Sequence, residues 1–177
     1  MNASTTLEQR LAQVEAVQAI HALKARYAAL ADQKYTVARE RVDEQRMREV
    51  ARLQAECFTD DAVWDGGSDF GDRLVGRARL TEWFTRSPWC FALHYYGSPE
   101  LAVSGDTATG RWRLWQLALR GGDRQAVLLA AVTEEAYARQ ADGRWLHSRM
   151  RFSQIHLLPI AAPLLSQLPA LSPSPQP

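Results

Sequence analysis

Apolar residues in the first thirty positions recur at steps of three and four: Leu7, Leu11, Val14, Val17, Ile20, Leu23, Tyr27 and Leu30. That spacing draws one apolar stripe along a long helix. Ser4-Thr5-Thr6, followed by Glu8 or Gln9, supplies its N-cap. Residues 36–56 are dominated by Arg and Glu, yet Val37, Val42, Met47, Val50, Leu53 and Cys57 keep helical intervals. This predicts a long surface helix with one narrow apolar seam and a solvated charged face. Thr59-Asp60-Asp61 reads as a turn, Ala62-Val63-Trp64 as a short strand, and Asp65-Gly66-Gly67-Ser68 as a loop. Residues 77–86 predict a short amphipathic helix with Leu80, Trp83 and Phe84 on its apolar side, stopped by Ser87-Pro88.

From Trp89 onward the period becomes two. Residues 91–96 predict a strand broken by Gly97-Ser98-Pro99, and residues 100–103 a second one. Three longer strands follow, 107–119, 125–139 and 144–156, joined through Gly121-Gly122-Asp123 and Ala141-Asp142-Gly143. They make a strongly bent antiparallel meander. Helices first and a continuous antiparallel sheet afterwards define an α+β fold with the helices on one sheet face. Residues 1–165 are expected as a single domain. Residues 166–177 are a Pro-rich tail, disordered or strand-like, and 157–165 are placed to cover a neighbouring surface.

Composition changes this picture little. A chain of 177 residues can bury a real core, and 46% apolar with 23% charged residues describes an ordinary globule. A net charge of +1 provides no field to recruit nucleic acid or an acidic membrane surface. No apolar run reaches membrane-spanning length and the first residues are polar, so a cytoplasmic protein is expected. Cys57 and Cys90 lack the spacing of a metal or redox pair and read as core thiols. His21, His147 and His156 have no partner at ligand spacing, so no metal site is expected.

Two polar residues stand out against the apolar pattern. Asp32 ends the first helical stripe, five residues after Tyr27, which puts the two roughly 140° apart on a continuous helix. Either Asp32 opens the next turn into water, or it faces a cavity from a frayed last turn. His94 shares a strand face with Ala92 and Tyr96. It is a core or surface histidine, or else a base in an apolar cavity that needs a carboxylate on its second nitrogen; Asp32 is the candidate. On the last strand Trp145, His147, Arg149, Arg151 and Ser153 fall on one face. An inward Arg would bind an anionic group, and an outward one would be solvated.

Taken in order, A-R-Y-A-A-L-A-D, F-T-D-D-A-V-W-D-G-G, F-A-L-H-Y-Y-G-S-P-E-L-A-V-S-G-D-T-A-T-G-R-W and D-G-R-W-L-H-S-R-M-R resemble a SnoaL-like domain of the nuclear transport factor two-like superfamily. The resemblance covers residues 7–158. It implies a cone-shaped, curved antiparallel sheet (an α+β barrel) wrapped around the N-terminal helices, with a pocket at the wide end. Dehydratases of that superfamily, such as bile-acid 7α-dehydratase and scytalone dehydratase, place a His–Asp pair in the pocket, and the matching positions here are His94 and Asp32. A tyrosine five residues before the Asp matches Tyr27, and an arginine late in the last strand matches Arg149 or Arg151. Trp64 matches a pocket position where the dehydratases carry Tyr, so a possible hydroxyl is missing.

The implied activity is that of a cofactor-independent lyase, a dehydratase. His94 takes a proton beside a carbonyl, while Tyr27 or an arginine stabilises the enolate or the departing hydroxide. Trp64, Phe70, Phe84, Tyr96 and Trp112 are candidates for the pocket wall, which points to a hydrophobic polycyclic or aromatic substrate such as a steroid or polyketide. An isomerase or cyclase of the same chemistry, or a non-catalytic small-molecule-binding module, are the alternatives. Apolar residues on both faces of the sheet lead us to expect a homo-oligomer, a trimer over a dimer.

Overall fold

A computed structural model describes residues 6–67 and 71–160 of the chain. Phe70 and the Pro-rich tail therefore lie outside the described residues. The first helix, α1 (Leu7–Asp32), starts with a capping box: the Thr6 hydroxyl accepts from the Gln9 N–H at 3.2 Å, and the Gln9 side chain accepts from the Thr6 N–H at 2.9 Å. Its stripe is buried only from Ala16 onward. Leu7, Leu11 and Val14 are exposed.

The expected long second helix is shorter. Tyr35 and Arg41 form an isolated β-bridge, and the Val42 N–H donates to the Lys34 carbonyl at 3.0 Å, so residues 33–43 form a tight excursion. Only α2 (Glu44–Ala55) is helical. Asp43 decides the start by accepting from the Arg46 N–H at 2.9 Å, a cap that the preceding residues cannot displace. The seam of α2 buries Met47, Val50 and Ala51, while its Arg and Glu residues pair with one another in solvent.

Strand β1 (Phe58–Asp65) begins at Phe58, so the expected turn at Thr59-Asp60-Asp61 is instead an irregular stretch within the strand. Next come the two-residue β2 (Leu74–Val75) and α3 (Arg77–Phe84). Arg77 ties α3 to β1 by donating to the Phe58 carbonyl and pairing with Asp60 at 2.8 Å. Then come β3 (Trp89–Ser104), β4 (Thr107–Arg120), β5 (Ala126–Arg139) and β6 (Trp145–Pro159). The two strands expected on either side of Gly97-Ser98-Pro99 are one strand with a bulge between Gly97 and Glu100, where Ser98 takes a φ of 46°. The bulge bends β3 without ending its pairing.

The sheet order is β2-β1-β6-β5-β4-β3. Strands β4 to β6 are the predicted antiparallel meander, β3 pairs antiparallel with β4, and β1 adds to the other edge parallel to β6, which the sequence pattern did not reveal. The sheet is curved and stays open, with the helices on its concave face. The core lies between them: Ile20, Leu23 and Tyr27 of α1, Val50 of α2 and Leu80 of α3 meet Phe58, Leu114, Leu129 and Met150. At Gly110 an added Cβ would stand 2.8 Å from Leu101 Cδ2 and 2.9 Å from Tyr137 Cε2, so the inner sheet surface accepts no side chain there. Cys57 is a buried thiol, pushed up to about 11 by burial, but Cys90 is only half-buried. Among the described residues no helix is long and apolar enough to cross a membrane.

Candidate active site

Asp32 is the last residue of α1, and the turn after it brings its carboxylate across to β3. Asp32 Oδ1 lies 2.7 Å from His94 Nδ1 and also accepts the His94 backbone N–H at 3.0 Å. One oxygen thus holds both the strand and the ring of the same residue. A carboxylate only accepts, so His94 Nδ1 carries a proton, and in the neutral ring Nε2 is the nitrogen with the lone pair. Both side chains are largely buried, at 15% exposure for His94 and 27% for Asp32.

His94 borders a cavity of about 110 Å³ between the helices and the sheet. Tyr27, Lys34, Trp64, Phe84 and Tyr96 line it with His94. Tyr27 is fully enclosed, with its ring edge-on to Phe58, Phe84 and Tyr96. Burial, reinforced by the charge of Glu135, raises its phenol well above the ordinary range, and nearby Trp64 and Gln54 only partly offset that. It is a neutral hydrogen-bond donor. Gln116, paired with His94 across β3 and β4, lines the same cavity, and its Nε2 is buried without a hydrogen-bond partner among the described residues.

Behind Tyr27 and Tyr96 lies a buried charged cluster. Glu135 on β5 accepts from the Lys24 ammonium, from the Tyr137 hydroxyl and from the Thr133 hydroxyl at 2.6 Å. His147 Nε2 stands 3.2 Å from the same carboxylate, while its Nδ1–H donates to the Cys57 carbonyl at 3.0 Å. The Lys24 ammonium also sits 3.6 Å from the centre of the Tyr96 ring.

Three of the expected site residues lie elsewhere. Trp112 is buried away from the cavity lining, its indole N–H donating to the Tyr137 hydroxyl at 2.8 Å and its ring edge-on to His21. Arg149 and Arg151 are exposed, and Arg151 Nε is 3.8 Å from Asp65. The cause is a bulge: Tyr137 pairs with His147 but Ala136 pairs with Arg149, leaving Ser148 as an extra residue. One extra residue exchanges the two faces of the strand, so Trp145 and His147 point inward before it and Met150 and Phe152 after it. Replacing Arg149 and Arg151 together with Ala is accordingly expected to leave kcat/KM within about twofold and stability within about 0.5 kcal/mol, checked by steady-state rates and urea unfolding.

The model of the SnoaL-like domain matches residues 12–151. The chain belongs to the SnoaL-like domain family. No curated protein matches it in sequence. Among solved structures, a hexachlorocyclohexane dehydrochlorinase (LinA type 2) superposes with a TM-score of 0.70 at 22% identity, covering 86% of this chain and 94% of that one. A protein assigned as a scytalone dehydratase from Novosphingobium aromaticivorans gives 0.68 at 14% identity, covering 85% and 91%. An NTF2-like protein with a cystatin-like fold, also from N. aromaticivorans, gives 0.65 at 22% identity, covering 96% and 99%. At these identities the likeness is one of fold, the open α+β cone of this SnoaL-like chain.

Sequence reasoning missed Lys34, Gln54 and Gln116 as lining residues of the SnoaL-like cavity. Gln116 was legible as an inward position of an alternating strand. Lys34 followed no period, and only the rarity of lysine in this chain set it apart.

Proposed function

We propose that the protein is a cofactor-independent lyase acting on a hydrophobic carbonyl compound by proton abstraction. The observation that carries this reading is His94, held through Nδ1 by Asp32 at 2.7 Å and lining an aromatic cavity. A base in that setting takes the proton next to a carbonyl, and the imidazolium formed is stabilised by the carboxylate. Tyr27 is the neutral donor available to the leaving group or carbonyl oxygen. Elimination is favoured over isomerisation because dehydrochlorinase and dehydratase are the activities named for the similar folds. A cavity of about 110 Å³ is smaller than the engineered cavity of about 150 Å³ that holds benzene, so it encloses at most one small ring. A steroid or polyketide skeleton would leave its other rings at the mouth. Exposed Leu93 and Leu117, and exposed Tyr95 and Trp115, pair across the convex face of the sheet and support a homo-oligomer, for which we favour a trimer.

The test is conversion of 3-hydroxycyclohexanone to the conjugated enone, followed by absorbance, in wild type and His94→Ala. Wild type is expected to be faster by at least about 10²-fold. Binding of the ketone with no turnover in either protein would replace this reading with that of a binding module.

A further inference from the structure

Of the 21 basic residues in the chain only two are lysines, Lys24 and Lys34, and both are buried, at 1% and 6% exposure. An arginine is always charged, whereas a lysine can give up its proton and become a nucleophile. Lys24 is matched by the Glu135 carboxylate. Lys34 has no acidic partner and no side-chain hydrogen bond among the described residues, and the nearby Asp32 oxygen Oδ1 is engaged by His94. Instead the Lys34 ammonium sits 5.0 Å from the centre of the Phe84 ring, in the wall of the cavity that His94 borders.

Its backbone is pinned on several sides. The Lys34 carbonyl accepts from Val42, the neighbouring Tyr35 bridges to Arg41, and the Tyr35 hydroxyl meets Ser87 Oγ at 2.9 Å. Arg41 in turn donates to the Trp89 carbonyl at 3.0 Å. These ties join the end of α1 to the start of β3 and hold the lysine stem over the cavity. Desolvation, with the Arg41 charge adding to it, brings Lys34 down to about 7, so much of it is free amine at neutral pH. A desolvated lysine beside another cation is the arrangement that makes an amine reactive toward carbonyls.

We propose that Lys34 is a second catalytic residue, whose amine condenses with the substrate carbonyl so that His94 removes a proton adjacent to an iminium rather than a ketone. The inference rests on the lyase reading above. The amine nitrogen adds to the carbonyl carbon and one of its protons passes to the oxygen; the hydroxyl so formed takes a second proton from solvent and leaves as water, giving the iminium. His94 Nε2 takes the α-proton, and the C–H electron pair forms the enamine. The enamine pair then expels the β-hydroxyl, which departs as water with the proton from His94. A second water adds to the conjugated iminium carbon, the C–N bond breaks, and the unsaturated carbonyl compound and free Lys34 amine are restored, with the borrowed proton returned to solvent. The net change is loss of one water. The cationic nitrogen takes up the electron pair that an enolate oxygen would otherwise carry.

The test treats the full chain with cyclohexanone and sodium borohydride at pH 7 and maps adducts by mass spectrometry. Lys24, Lys34 and the terminal amine are the only amines to resolve. Labelling of Lys34 is expected to exceed that of the terminal amine by about three- to fivefold, reflecting its larger free-amine fraction, and to exceed that of Lys24, which is enclosed against Glu135. His94→Ala should still be labelled and Lys34→Arg should lose that label; the wild-type map decides the matter even if the second variant folds poorly. Wild type that turns over 3-hydroxycyclohexanone but shows no Lys34 adduct would overturn the covalent step and leave the lyase reading standing. An adduct on Lys34 without turnover would support the amine site and sink the lyase reading.

Discussion

Asp32→Asn is expected to lower kcat on the enone-forming reaction by about 10²–10⁴-fold with little change in stability. The carboxylate does two things through one oxygen: it accepts the His94 backbone N–H at 3.0 Å and faces the ring Nδ1 at 2.7 Å. An asparagine oxygen in the same place still accepts the backbone N–H, so the end of α1 stays docked on β3. It no longer offers a negative charge to the imidazolium that forms when His94 takes the proton. If the amide turns its NH₂ toward the ring, Nδ1 becomes the acceptor and the proton moves to Nε2, which removes the lone pair from the cavity side. His94→Ala should cost at least as much, and the double variant little more than His94→Ala alone, because the two residues act as one unit. Steady-state rates and thermal melting of the three variants check this. An Asp32→Asn enzyme within about threefold of wild type would remove Asp32 from the mechanism.

Glu135→Gln is expected to destabilise the fold by about 3–5 kcal/mol, the cost of leaving a buried partner charge uncompensated. That is a large share of the about 5–15 kcal/mol that holds a domain of this kind together. Glu135 is fully enclosed and gathers Lys24, Thr133, Tyr137 and His147 around its two oxygens. Burial by itself raises a carboxyl, but here the Lys24 charge and the hydrogen-bonded His147 outweigh it and hold Glu135 well below the usual carboxylate range. Its folded-state value is therefore lower than its unfolded one, near 4.3. The stability it contributes is present above that pH and lost progressively as the pH falls toward the folded value. Urea unfolding from pH 7 to pH 3 should show a steep acid limb in wild type and a shallower one in Glu135→Gln. Pairing the change with Lys24→Met should recover part of the loss, because the orphaned charge is then gone. Equal acid limbs would mean that Glu135 is not the ionised centre of the cluster.

Residue pattern alone determined the helical stripe of α1, the short α3, and β4 to β6 with their turns through Gly122 and Gly143. These are local matters, settled by the period of apolar residues and by the few residues suited to each turn. The start of α2 was also written locally, in Asp43, but the charged residues ahead of it kept a misleading helical period. Tertiary structure decided the rest. Asp32 and His94 are 62 residues apart and meet only because α1 ends against β3; the sequence pointed to the pair chiefly through family resemblance. One unpaired residue, Ser148, turned Arg149 and Arg151 outward, and a bulge is set by strand pairing rather than by alternation along one strand. The burial of Lys34 without an acid, and of Glu135 with several donors, came from the packing of helices onto a curved sheet. A side chain's identity is local, but its desolvation and its neighbours belong to the whole fold.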